Sequence, residues 1–129
     1  MLNDPLANAL SAILNAEKIG RKECEIRPIS KVIKKVLSVM KDNLYIGDVQ
    51  EVKDSKGGLI KVNLLGNIND CSAIKPRFSV KKDLYEKFEK RFLPAKGMGI
   101  IIVSTPQGIM TQADAKKKGL GCRLLSYCY

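Results

Sequence analysis

Apolar residues change their spacing several times along this 129-residue chain, and the succession of periods limits what it can fold into. Leu6, Leu10, Ile13 and Leu14 recur at helical spacing, so a helix is expected from Leu6 to about Lys18, with Asp4 and Pro5 as its start signal. A short extended piece over 25–27 follows. Pro28 and Ser30 then introduce a second helix, Lys31 to about Lys41. Val32, Ile33, Val36, Leu37 and Met40 form its packing side, with Lys31, Lys34, Lys35, Ser38 and Lys41 opposite. Residues 44–53 and 59–65 change to strand-forming sequence, joined by Asp54-Ser55-Lys56-Gly57-Gly58, which has the composition of a hairpin loop.

Gly66 to Asp70 reads as a linker, and 71–80 as an extended stretch interrupted by Pro76. A third helix is expected from about Lys82 to Phe92, burying Leu84, Phe88 and Phe92 and ended by Pro94. The apolar run from Met98 to Val103 is strand-length and feeds a loop, Ser104-Thr105-Pro106-Gln107-Gly108. Thr111 and Asp114 have capping spacing for a short helix that Gly119 closes, and 124–129 reads as a last strand. The pattern is that of an α/β (α+β) chain in two small lobes. Residues 1–66 form a helix, strand, helix, hairpin lobe, and residues 67–129 a mainly β lobe with short helices.

Charge narrows the function. Lys and Arg number 23 against 13 Asp and Glu, a net +10, which points to a polyanionic partner and to nucleic acid first. Histidine is absent, which removes the commonest general base and the usual partner of a serine or cysteine nucleophile. The acids are scattered without a convincing pair, so no enzyme is expected. Cys24, Cys71, Cys122 and Cys128 contain no C-x-x-C and read as small apolar residues of a reducing compartment, without metal or cofactor. No signal or membrane span is evident, and a cytoplasmic location is expected.

Discrimination needs hydrogen-bonding groups as well as charge. Ser104, Thr105, Gln107 and Gly108 place two hydroxyls, an amide and accessible backbone at one corner, the groups that read base edges and 2′-hydroxyls. On the first helix Asp4, Asn8, Ser11 and Asn15 form a polar stripe with few charges. Arg77 and Phe78 beside Pro76 are further candidates for RNA contact. The remaining aromatics do not alternate with basic residues as a stacking platform would.

The run from Gly97 to Thr111, continuing through Ala113 to Ala115, Gly119 to Gly121 and the closing aromatic strand, resembles the C-terminal signature of the family of the eighth protein of the small ribosomal subunit. Asp4-Pro5-Leu6-Ala7 and Ser30-Lys31 fit its N-terminal half, and Ala73-Ile74-Lys75-Pro76-Arg77-Phe78 resembles its archaeal and eukaryotic branch. The resemblance implies a two-lobed, non-catalytic protein that binds the central domain of small-subunit ribosomal RNA and supports assembly of the platform beside neighbouring ribosomal proteins. Some bacterial members also bind their own messenger. By matching motif it implies base contacts from Ser104, Thr105 and Pro106, with Gln107 and Gly108 completing the corner. Sugar and phosphate contacts are implied for Asp4, Asn8, Ser11 and Lys31. Pro106 stands where bacterial members have serine, and Gly121-Cys122-Arg123 where many have Gly-Gly-Glu; the reversed charge leaves the role of that corner open, with phosphate as an alternative partner for Arg123.

Overall fold

The computed structural model describes residues 5–26, 30–53, 58–74, 77–81, 83–95 and 98–129. Asp4, the segment 27–28, most of the 54–58 loop, residues 75–76, Lys82 and Gly97 therefore lie outside the described residues. The fold is mixed α+β, with four helices and two antiparallel sheets among the described residues, and the chain forms two compact units, Met1–Cys71 and Ser72–Tyr129.

In the first unit α1 (Pro5–Lys18) buries Leu6, Ala9, Leu10, Ile13 and Ala16, a stripe at spacings of three and four. α2 (Lys31–Asp42) is capped by Ser30, whose Oγ accepts the Ile33 amide at 3.2 Å, and buries Ile33, Val36, Leu37 and Met40. Val32, placed on the packing side by its spacing, is 40% exposed, because the buried arc is centred on Val36 and Leu37. The three-stranded sheet has the order β1-β3-β2, from β1 (Glu23–Ile26), β2 (Ile46–Val52) and β3 (Leu59–Leu64). α1 packs on β1 and α2 on β2, so Ile26, Ile46, Ile60 and Val62 are shut away from water.

β2 begins two residues later than the sequence pattern suggests, and the reason lies in how α2 ends. Leu44 N–H bonds the Lys41 carbonyl and Tyr45 N–H bonds the Met40 carbonyl, both at 3.0 Å, which closes the helix with Leu44 in the left-handed region at φ 64°. The same pair of bonds closes α1 at Gly20 and α4 (Gln112–Lys118) at Gly119. α2 alone of these three puts a bulky side chain where glycine is the relaxed choice, and that side chain is 70% exposed.

The second sheet runs β4-β8-β6-β7, with β5 also paired to β8. Its strands are β4 (Cys71–Ala73), β5 (Ser79–Val80), β6 (Ile100–Thr105), β7 (Gly108–Thr111) and β8 (Cys122–Cys128). A core of Ile74, Val80, Tyr85, Leu93, Ile101, Val103, Ala115 and Leu124 joins this sheet to α3 (Tyr85–Phe92) and α4. α3 differs from its expected stripe: Leu84 precedes the helix and is 48% exposed, while Tyr85 is buried. Tyr85 fits the interior because its hydroxyl donates to the Leu120 carbonyl at 2.6 Å, satisfying a polar group that leucine would leave bare. Phe88 and Phe92, expected in the core, are half-buried at its rim, where Phe92 stacks on Tyr127 with ring centroids 5.8 Å apart.

All four cysteines are free, with Cys24, Cys71 and Cys128 buried and Cys122 half-buried. The Cys71 thiol donates to the Leu10 carbonyl at 3.5 Å. Burial, reinforced by Asp70 and Glu17, pushes its pKa up to about 12. Burial likewise raises Cys24 and Cys122, so these thiols stay protonated at neutral pH and make poor nucleophiles.

Replacing Leu44 by glycine removes a strained dihedral and exposes no core. The Leu44→Gly variant is expected to be more stable by about 0.5–1 kcal/mol in chemical denaturation. A loss of stability would show that the leucine side chain makes a contact that offsets its backbone strain.

Candidate nucleic-acid interface

The corner over residues 104–108 is a β-hairpin, not an open loop. Ser104 and Thr105 are the last residues of β6, Gly108 is the first of β7, and Pro106 and Gln107 form the exposed two-residue turn. Proline fixes φ near about −65° and cannot supply the positive φ that the common two-residue hairpin turns need at their first position. The positive φ falls instead on Gly108, at 128°.

Thr105 holds this turn together. Its Oγ1 donates to the Gly108 carbonyl at 2.8 Å and accepts the Gln107 amide at 3.2 Å, and the residue is 8% exposed. The donor of its hydroxyl is thus spent inside the hairpin, which makes Thr105 a positioning residue for Pro106 and Gln107.

Strand register then arranges the side chains beside the tip. Ser104 lies directly opposite Arg123 of β8, and Arg123 lies directly opposite Ser79 of β5. Opposed residues of antiparallel strands project from the same face, so Ser79, Arg123 and Ser104 form one row: hydroxyl, guanidinium, hydroxyl. Ser79 and Arg123 are exposed and Ser104 half-buried, and Arg123 has no acidic partner among the described residues. Sequence reasoning singled out Ser104 and Arg123 but missed Ser79, whose only signal is its register.

Gln112 was missed as well. In the β6–β7 ladder Thr105 faces Gly108, Val103 faces Met110 and Ile102 faces Thr111, so the next partner of Ile101 would be residue 112. There the chain has already turned into α4, capped by Thr111, whose Oγ1 accepts the Asp114 amide at 3.3 Å. The buried Gln112 side chain fills the gap, its Oε1 accepting the Ile101 amide at 2.8 Å. One side-chain carbonyl continues the ladder where the backbone has left it.

The other candidates are placed as follows. Gly121 is exposed immediately before β8. Arg77 is exposed. The half-buried Phe78 packs on the core, with Phe88 5.5 Å away and Arg91 5.3 Å over its ring, so that ring is engaged within the fold and is not splayed out for a base. On α4, Lys116 pairs with Glu89 while Lys117 and Lys118 are exposed without an ion pair among the described residues. In the first unit, Asn8 is half-buried, and Ser11 and Asn15 are exposed along α1. Lys31 and Lys35 are exposed and unpaired among the described residues, whereas Lys34 is held by Glu51 at 2.8 Å and Lys41 lies 3.7 Å from Asp48.

These arrangements offer cations for phosphate and neutral donors and acceptors for bases and sugars. No helix among the described residues is long and apolar enough to cross a membrane. Comparison with protein families gives a match to the model of ribosomal protein S8 over residues 4–129, nearly the whole chain.

Gln112→Ala leaves the buried Ile101 amide without an acceptor and is expected to cost about 1–3 kcal/mol of stability. Equilibrium urea unfolding checks this. A change below about 0.5 kcal/mol would mean that the ladder has another acceptor at that point.

Proposed function

The chain belongs to the ribosomal protein S8 family, and from that premise we propose that it binds the central domain of small-subunit ribosomal RNA directly and supports assembly of the platform. Membership makes it a protein of the small ribosomal subunit, part of a ribonucleoprotein acting in translation, in a family that is structural rather than catalytic. The archaeal and eukaryotic cytosolic branch, and with it a cytoplasmic ribosome, is the reading favoured by the sequence around Ala73 to Phe78.

The row Ser79, Arg123, Ser104 beside the exposed Pro106-Gln107 tip carries the proposal. Ser104 Oγ and the Gln107 amide are suited to base edges and 2′-hydroxyls of irregularly paired RNA, and Arg123 to a phosphate between them. Gly108 and Gly121 let a nucleotide approach the backbone, while Arg77 and the lysines add charge. On α1, Asn8 and Ser11 are assigned to sugars, as is Asp4 by its sequence spacing, and Lys31 on α2 is assigned to phosphate. A stem in the protein's own messenger that presented the same features would compete for the same groups.

The residue roles separate in binding measurements. Ser104→Ala is expected to weaken binding to a central-domain RNA fragment by about 1–3 kcal/mol at fixed salt. Arg123→Gln is expected to reduce the slope of log affinity against log salt by about one. Circular dichroism checks that both variants keep the fold. If both bind and respond to salt as the parent does, the RNA site lies elsewhere.

A further inference from the structure

The sheet of the first unit ends in β1, and among the described residues no strand pairs with the far side of that strand. The Leu64 amide donates to the Lys22 carbonyl at 2.8 Å, and the register continues with Cys24 opposite Val62 and Ile26 opposite Ile60. Hydrogen bonding alternates along an antiparallel pair, so Cys24 and Ile26 turn their backbone groups toward β3, while Glu23 and Glu25 turn theirs outward. Such an edge is a template for another strand.

A groove runs beside it. About 510 Å³ of open space lies between α1 and β1, lined by Ala12, Asn15, Ala16, Ile19, Glu23 and Cys24 among others. Past Arg21 and Glu23 a second opening of about 720 Å³ adjoins it, bounded by Glu17, Leu65 and Ile68. Ile19 is 68% exposed and Leu65 51%, large apolar side chains left at the ends of this groove. Glu23 and Glu25 are exposed on the edge strand, in a chain whose net charge is +10. Lys22 beside Glu23 in the chain, Arg21 in the groove and Lys61 opposite Glu25 on β3 are the cations nearest them by position. Carboxylates along an edge disfavour a phosphate backbone, whereas free amides and carbonyls favour an extended peptide.

We propose that β1 is a docking edge for an extended segment of a neighbouring protein of the small subunit, in which cationic and apolar side chains alternate. Cations on one face of the added strand meet Glu23 and Glu25. Apolar residues on its other face meet Ala12, Ala16 and Ile19 of α1, as the period of two in a strand requires. The identity of the partner as a ribosomal protein rests on the family assignment, whereas the docking mode rests on the edge, the groove and the charges.

The test uses the full-length, isotopically labelled protein with the peptide Val-Lys-Val-Lys-Val, and Val-Val-Lys-Lys-Val as the control that breaks the alternation. Amide exchange at Glu23 and Glu25 is expected to slow on saturation with the first peptide and not with the second. The double variant Glu23→Lys, Glu25→Lys is expected to weaken that binding about tenfold while keeping the fold. Unchanged exchange at these two amides, or equal protection by the control, overturns the proposal. So does protection that rises with protein concentration alone, which means pairing of two copies, or protection by an RNA duplex. Binding of the ribosomal RNA fragment is measured on the same sample, so failure of the RNA reading and failure of the docking edge are read separately.

Discussion

The sheet of the second unit depends on one side-chain hydrogen bond that stands in for a missing rung: the Gln112 amide oxygen accepting the buried Ile101 N–H at 2.8 Å. The hairpin of β6 and β7 is short, and β7 gives way to α4 after Thr111. Without a substitute acceptor, β6 would carry a bare amide into the core, a cost comparable to a substantial share of a small domain's net stability. With the acceptor in place, β6 is satisfied on the β7 side as well as along β8, and beyond a register shift between Ile102 and Val103 its far end sets Ser104 opposite Arg123. Thr105 does the same at the tip, spending its hydroxyl on the turn so that Pro106 and Gln107 project. The row proposed to meet RNA is a consequence of strand register.

Much of this was legible in the sequence, and what was not has physical reasons. α1 and α2 follow from helical spacing because each has one water-free face, and the Ser30 and Thr111 caps follow from local chemistry. β7 was unreadable, since four residues with one glycine carry no period and become a strand only by pairing with β6. The third helix was placed by Leu84, Phe88 and Phe92, but the interior selected Tyr85, because a buried carbonyl at Leu120 needed a donor that no apolar pattern encodes. Leu44 reads as strand-forming and closes a helix instead, its conformation set by two backbone bonds from the preceding turn.

At the corner chosen from sequence chemistry, the side chains differ in what they leave open to a ligand. Ser104, Gln107 and Arg123 carry groups open to a ligand, whereas the Thr105 donor is turned inward. Phe78 is likewise engaged, with Phe88 and Arg91 on its ring. Ser79 joins the row solely because β5 pairs with β8 across Arg123. Residue types can be weighed from sequence, but which of them stand in line depends on non-local pairing.

Two kinds of interaction divide the proposed binding. The +10 net charge attracts any nucleic acid and weakens with salt, whereas hydroxyl and amide contacts on a rigid hairpin depend on what they face. The most direct measurement compares affinity for a central-domain fragment of small-subunit ribosomal RNA with that for an unrelated duplex of equal length across a salt series. The account predicts a preference of at least about a thousandfold for the fragment that persists as salt removes the shared electrostatic attraction. Equal affinities that fall together would contradict it, leaving net charge as the whole of the binding.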